Sequence, residues 1–331
     1  MKVLFNIFKW TVGLMLVFLM VGVIFEQVSR VNLNAKRPDN SQFVDLMGRQ
    51  IHFVKKGRGG PTVVFESGLG GDHTYWTEIQ KEIAKHTTTL SYDRAGIFWS
   101  DPIAEKSLGA ITQDLETVLE KTDCPKPYII VGHSFAGIIT RQFIKENIDD
   151  IQGIVWIDVS HPSQLKETSE ELMAAVRPPS LRTIRFFDEI GAIRLLYTLL
   201  PFSSELPKEH FYNQHAKDYF YTIYEGLFQE YENDDTLFDE ASQISDFSEI
   251  PLTIVTASYP DGIEFVADAR LANQYFNMHQ RLQKDLLNLS TGSNQVFATK
   301  SGHHVPLQEP GLILEEIQKL ITVPLDKHIT L

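Results

Sequence analysis

The sequence predicts an α/β protein: a mainly parallel central sheet with helices on both faces, a helical insertion, and an apolar helix ahead of the sheet. Three observations carry this. Short β-branched runs alternate with longer helical patterns from about residue 43 onward. Several runs are apolar throughout, which suits strands buried on both faces. The first residues of the chain are almost wholly apolar.

In chain order, the apolar segment comes first. Residues 3–25 are broken only by Asn6 and Lys9, and 10–25 carry no charge. At ~1.5 Å rise per helical residue, ~20 residues match a ~30 Å hydrocarbon core, and a flanking lysine can extend its ammonium to the headgroups. Residues 1–28 therefore read as a single-pass membrane anchor. The rival reading is a cleaved signal peptide with Lys2 and Lys9 as its basic region. Against it, Val21-Gly22-Val23 is a poor cleavage site, and bulky Ile24, Phe25 and Glu26 follow. Lys2, Lys9 and the free amine point to a cytoplasmic N-terminus and an extracytoplasmic main domain, although Arg30, Lys36 and Arg37 weaken that asymmetry. Residues 29–42 are polar and aperiodic and read as a stalk.

The main domain is expected over 43–325, with a tail at 326–331. Strands are predicted at 50–54, 62–66, 88–92, 128–131, 153–157, 252–256 and 295–298. Helices are predicted at 75–85, 111–121, 135–147, 265–289 and 311–321. Between the strand ending at Ile157 and the one starting near Leu252 lie about ninety residues without a strand pattern, too many for an unstructured loop. They are rich in aromatics, among them Phe186, Phe187, Tyr197, Phe220 and Tyr224, and are expected to form a helical lid at about 160–250. Most of these rings are expected to pack in the interior, and a few to line a cavity.

Composition excludes some functions. A formal net charge of −13, with no basic cluster beyond pairs such as Lys55-Lys56, argues against a nucleic-acid partner. Cys124 is the only cysteine, so no intramolecular disulfide forms. The histidines His52, His73, His133, His161, His210, His215 and His279 lack metal-ligand spacing, and neither a phosphate-cradling loop nor a GxGxxG after a strand is present. No cofactor and no metal are expected.

The most specific motif is Gly132-His133-Ser134-Phe135-Ala136, fed by the apolar run 128–131 and followed at once by a helical pattern. A sharp strand–turn–helix holds such a serine in a strained conformation and brings the residues two before and two after it together, so both must be small. Gly132 and Ala136 meet that condition. The helix start behind the serine faces any developing anion with unpaired N–H groups.

In these residues the chain resembles the α/β-hydrolase superfamily, whose turn reads Gly-x-Ser-x-Gly; Ala136 is the departure. The resemblance implies Ser134 as nucleophile. Ser67-Gly68-Leu69-Gly70-Gly71, after the strand at 62–66, resembles the loop that supplies one oxyanion donor. The resemblance thus implies the N–H groups of Leu69 and of Phe135 as an oxyanion hole. Ser301-Gly302-His303-His304 resembles the family's histidine loop, which implies His303, directly after the glycine, as general base, with His304 a flanking residue. Asp93-Arg94 within Tyr92–Gly96 is similar to a structural landmark of the family and is expected to pair and hold loops near the turn.

The acid stays open chiefly between two carboxylates, with Asp268, inside a helical pattern, as a third. Asp158 ends the run 154–157 at the carboxyl end of a strand, where function is expected in open sheets. Residues 154–162 there resemble haloalkane-dehalogenase-like members, which keep their acid at that place. Asp261, in Tyr259-Pro260-Asp261-Gly262, follows the next strand, the usual family site, but a Pro-Asp-Gly turn has its own structural reason. Dehalogenase and epoxide-hydrolase chemistry is disfavoured, since those relatives carry an aspartate where Ser134 stands. The resemblance implies a membrane-anchored serine hydrolase of the carboxylesterase or lipase kind, acting on a small ester or lipid-like substrate. An amidase or peptidase of the same fold, or a non-catalytic ligand-binding relative, is the alternative.

Overall fold

The computed structural model describes residues 2–176, 179–258 and 268–322. Its strands are β1 (Phe43–Leu46), β2 (Arg49–Lys56), β3 (Thr62–Glu66), β4 (Thr88–Tyr92), β5 (Tyr128–His133), β6 (Ile151–Ile157), β7 (Leu252–Ala257) and β8 (Ser293–Ala298). They form one eight-stranded sheet in the order β1-β2-β4-β3-β5-β6-β7-β8. β1, β2 and β4 pair antiparallel at one edge, and from β4 to β8 every pairing is parallel.

The helices in chain order are α1 (Lys2–Asn34), α2 (Thr77–Ile83), α3 (Leu108–Lys121), α4 (Ala136–Ile139), α5 (Arg141–Glu146), α6 (Gln164–Glu167), α7 (Glu170–Val176), α8 (Leu181–Glu189), α9 (Ala192–Leu199), α10 (Phe211–Glu232), α11 (Asp234–Ser242), α12 (Ala269–Asp285), α13 (Val305–Gln308) and α14 (Pro310–Ile321). Every residue of β3, β4, β5, β6 and β7 is buried, as expected for the continuous apolar runs among them. Val64, Ile130, Ile154, Trp156 and Ile254 join one core cluster across these strands.

Two elements depart from expectation. β1 has no counterpart among the predicted strands, because only four residues with one inward face form it. The helix predicted at 135–147 is broken at Thr140 into α4 and α5. There Thr140 Oγ1 donates to the Ala136 carbonyl at 2.6 Å, and Arg141 Nε donates to the Gly137 carbonyl at 2.8 Å. Side chains that bond back to carbonyls one turn earlier compete with the helical ladder.

The chain divides into two compact units. One contains the sheet and the helices around it. The other contains α1, α8, α9 and α10 as far as Tyr224. The interval 160–250 is helical throughout its elements, α6 to α11, and its middle part belongs to the unit of α1.

In that second unit, α1 runs on to Asn34, through the first residues expected as stalk. Its polar end is held by ion pairs. Glu26, fully buried, accepts from Arg30 at 2.9 Å and from Arg194 at 2.6 Å and 2.7 Å. Arg30 reaches Asp188 at 2.7 Å and Glu189 at 2.8 Å. Ile193, Phe220 and Tyr224 form a small core of their own. Of the aromatics in the interval 160–250, Phe220 and Tyr224 are buried, whereas Phe186 and Phe187 are exposed.

The central strands should dominate stability. Ile254→Ala, in a fully buried strand, is expected to lower unfolding free energy by about 2–5 kcal/mol, read by denaturant titration.

Candidate active site

The site begins where β5 ends. Ser134 has φ +56°, a left-handed backbone that a non-glycine residue adopts only under constraint. The constraint comes from the next strand: Ser134 N–H donates to the Ile157 carbonyl at 3.1 Å, and Ser160 N–H donates to the Ser134 carbonyl at 2.8 Å. A Cβ built on Gly132 would lie 2.7 Å from the Ala136 methyl, so the glycine is obligatory once alanine stands at 136. A Cβ on Gly137 would meet the Ser160 carbonyl oxygen at 2.6 Å. The turn therefore accepts Ala136 because position 132, which crowds its methyl, is glycine.

The predicted histidine reaches this serine. His303 Nε2 lies 3.0 Å from Ser134 Oγ, and His303 Nδ1 lies 2.7 Å from Asp158 Oδ2. Of the two candidate acids, Asp158 makes this contact, and Asp261 lies outside the described residues. Asp158 also has a positive φ, +47°, directly after β6. Burial pushes its carboxyl up, but His279 and His303 outweigh burial and hold it well below the usual carboxylate range. An ionised Asp158 accepts from Nδ1–H, which leaves the His303 Nε2 lone pair facing the serine hydroxyl.

Sequence reasoning missed two neighbours. His279, on α12, donates from Nε2 to Asp158 Oδ1 at 2.9 Å, beside the Ala257 N–H at 3.1 Å. Both carboxylate oxygens are thereby fixed, one by each histidine. The Tyr275 ring stacks parallel to His279, with centroids 6.1 Å apart. His133 is the other. Burial, with His303 and His304 beside it, holds its imidazole well below the usual value and so neutral. Its Nε2 donates to the His303 carbonyl at 2.8 Å and tethers the histidine loop to the turn. Neither role has a sequence signal, since each partner lies more than a hundred residues away.

The loop after β3 lies against the same serine. A Cβ on Gly68 would stand 3.0 Å from Ser134 Cβ, so only glycine lets this backbone approach so closely. Among the described residues, the Leu69 and Phe135 N–H groups donate to no other backbone or side-chain oxygen. Ser67 is structural: its Oγ donates to the Asp72 carbonyl at 2.9 Å and accepts from Trp76 Nε1 at 3.0 Å.

Asp93 and Arg94 hold loops as expected, but through other partners than each other. Arg94 donates to Glu66 at 2.6 Å, to the carbonyls of Ser67 and Gly68 at 2.8 Å and 2.7 Å, and to Glu230 at 2.8 Å and 2.9 Å. Glu230 in turn accepts from the Gly70 N–H at 3.0 Å and pairs with Lys106 at 3.1 Å. The glycine loop is thus gripped on its carbonyls by a buried cation and on an N–H by a buried anion. Asp93 instead accepts from His52 Nδ1 and His73 Nδ1, each at 2.8 Å, and from the His73 N–H at 2.9 Å. This trio has a metal-type donor set, with the Nδ1 of each histidine bonded to the carboxylate. Burial pulls the His73 imidazole down, and Asp93 more than restores it, raising it above its usual value.

Comparisons with known proteins agree with this architecture. Residues 61–190 match the model of the alpha/beta hydrolase fold family. An AB hydrolase superfamily protein of Gibberella zeae is 23% identical over 328 residues, covering 89% of this chain and 95% of that one. The uncharacterized protein YqjL of Bacillus subtilis is 34% identical over 105 residues, 31% of this chain and 42% of its own length. Among solved structures, the enol-lactonase of Burkholderia xenovorans superposes with a TM-score of 0.59 at 15% identity, covering 85% of this chain and 100% of that one. A thermophilic esterase of Thermogutta terrifontis does so at 0.56 and 14%, covering 85% and 98%. Over residues 61–190 the chain matches the alpha/beta hydrolase family, and the whole sheet has the α/β-hydrolase fold.

Glu230 gives the clearest test of the buried network. Burial raises its carboxyl, but Arg94 and Lys106 bring it down to about 2. Its stabilisation is full above the unfolded value of about 4.3 and is lost as pH falls toward 2. Glu230→Gln leaves two buried cations under-compensated and is expected to cost about 3–5 kcal/mol near neutral pH, shrinking in acid. Thermal unfolding of both proteins between pH 3 and 7 measures the difference.

Proposed function

We propose that the protein is a serine hydrolase that cleaves carboxylic esters through an acyl-enzyme. The 3.0 Å approach of His303 Nε2 to Ser134 Oγ, with Asp158 behind the ring, is the observation that carries this reading. Ser134 Oγ attacks the ester carbonyl carbon as its proton passes to His303 Nε2. The carbonyl oxygen gains the charge and is met by the N–H groups of Leu69 and Phe135. The tetrahedral species collapses, the C–O bond to the alcohol breaks, and the alcohol leaves with the proton from His303. Water then repeats the sequence on the acyl-serine, giving its proton to His303 and releasing the acid and Ser134.

Asp158 stays ionised throughout and stabilises the imidazolium. In this scheme His279 acts through Asp158, as a positioning residue, and Glu230 and Arg94 keep the Leu69 donor aimed at the serine. Donors fixed before reaction need no reorganisation as charge develops, and each is worth about 3–4 kcal/mol in comparable sites.

α1 has a mean hydropathy of 2.2 over its most apolar window and is long enough to cross a bilayer. A membrane anchor with the hydrolase domain on the extracytoplasmic side favours a lipid-like ester over a peptide amide. The similar enol-lactonase and esterase point toward ester-type bonds in the same way.

A fluorophosphonate probe tests the chemistry. The wild type is expected to take up one probe per chain and Ser134→Ala none; an unlabelled wild type would leave a ligand-binding protein as the better account. His279→Ala removes a hydrogen bond to a charged group, worth about 1.5–3 kcal/mol, and should lower kcat about 10-fold or more with KM little changed. His279→Gln, which keeps an N–H donor, should restore much of that loss.

A further inference from the structure

The unit built on α1 carries an apolar face that the fold leaves uncovered. On α8, Phe186 and Phe187 are exposed; on α9 and just after it, Leu195, Leu196, Leu199 and Leu200 are 48–64% exposed. Six large apolar side chains on two consecutive short helices exceed the scattered singles of an ordinary surface and mark a binding face.

Three observations fix what lies against it. First, the same compact unit contains α1, whose apolar residues are likewise exposed, Trp10 at 81% and Phe18 at 69%. Second, the α8–α9 corner is seated on α1 at a defined height. A Cβ on Gly22 would lie 2.3 Å from the Ile190 carbonyl oxygen, so the corner rests against the helix backbone, inside the apolar stretch. Gly191, with φ +73°, makes the bend there. Third, the charged end of α1 begins one turn later. Glu26 lies four residues beyond Gly22, ~6 Å along the axis. It is closed off by Arg30 and Arg194, while Arg30 also pairs with Asp188 and Glu189.

The ion-paired layer therefore marks the level at which α1 leaves hydrocarbon, and the α8–α9 corner spans from that layer, where a Cβ on Gly191 would lie 3.5 Å from Glu26 Cβ, to Gly22 about one turn to the hydrocarbon side. Helices that rest in an interface bury their apolar side ~5–10 Å into the headgroup and acyl boundary, the same range as this offset. We propose that α8 and α9 form an interfacial docking surface that lies in the bilayer to which α1 is anchored. The inference rests on the membrane reading of α1. It also sharpens the substrate class, since a surface set into the acyl boundary favours esters presented by the lipid layer itself. With a chain of net charge −13, attraction to anionic lipid is not the driving force, and neutral phosphatidylcholine should suffice.

Full-length protein, with Cys124→Ala as background, is reconstituted in phosphatidylcholine vesicles. An environment-sensitive fluorophore is attached in turn at Leu196→Cys, Val17→Cys and the exposed Glu78→Cys. Doxyl-labelled phosphatidylcholine reports lipid contact and iodide reports water. The label at 196 is expected to be quenched by shallow doxyl lipid and shielded from iodide, the label at 17 by deep doxyl lipid, and the label at 78 by iodide alone. If 17 reports lipid while 196 is quenched by iodide, or by neither agent as under a protein partner, the docking surface is overturned and the anchor stands. If 17 is open to iodide, the membrane reading fails with it. As a functional arm, Leu196→Asp with Leu199→Asp should slow hydrolysis of a vesicle-borne ester about 10-fold while p-nitrophenyl acetate turnover stays within about 2-fold. An equal loss on both substrates would mean a structural defect and would count against the proposal.

Discussion

The candidate site depends on how β5 and β6 end side by side. Adjacent parallel strands place Gly132 opposite Trp156 and His133 opposite Ile157. The next residue of each chain, Ser134 and Asp158, turns into left-handed backbone at φ +56° and +47°. Each such conformation costs about 1–3 kcal/mol and persists only where its surroundings over-determine it. Here each end is held by the strand beside it: the Ser134 N–H by the Ile157 carbonyl of β6 and the Asp158 N–H by the Val255 carbonyl of β7. The hydroxyl and the carboxylate thus have positions set by the sheet rather than by a loop. His303 needs only to enter from its own loop and bridge them.

Around that bridge the fold fixes each partner twice. Asp158 receives a histidine on each oxygen, and the His303 loop is tied by its ring to Asp158 and by its carbonyl to His133. The glycine loop, which has no side chains to hold it, is held through its backbone by Arg94 and Glu230. Buried charges of this kind add little net stability compared with apolar packing, because of their desolvation cost. What they supply is a defined position for Gly68, which lies against Ser134.

Much of the architecture was legible because the central strands are buried on both faces, so runs such as those in β5 and β6 carry no alternation to confuse with a surface strand. The tight turn at Ser134 was legible for a local reason: size limits at Gly132 and Ala136 act within five residues. The His303 loop and the Gly68–Leu69 loop could be read only through family resemblance, and the structure brings both to Ser134. What was not legible depends on pairings between distant segments. Arg94 was expected to pair with its neighbour Asp93, yet its partners are Glu66 and Glu230, because β4 delivers the guanidinium into a buried pocket of carbonyls. His279 reads as an ordinary helical histidine until α12 packs beside Asp158. The exposure of Phe186 and Phe187 could not be read either, since aromatic content alone does not distinguish a packed interior from an exposed face.

The central claim is that the Ser134 hydroxyl becomes acylated during turnover. Rapid mixing with p-nitrophenyl acetate, acid quench within the first turnovers and peptide mapping by mass spectrometry would test this directly. The account predicts an acetyl group on the peptide containing Ser134, its yield matching a burst of p-nitrophenolate, and its absence when His303 is replaced by alanine. Turnover without any acyl-peptide, or an acetyl group carried on another residue, would contradict it.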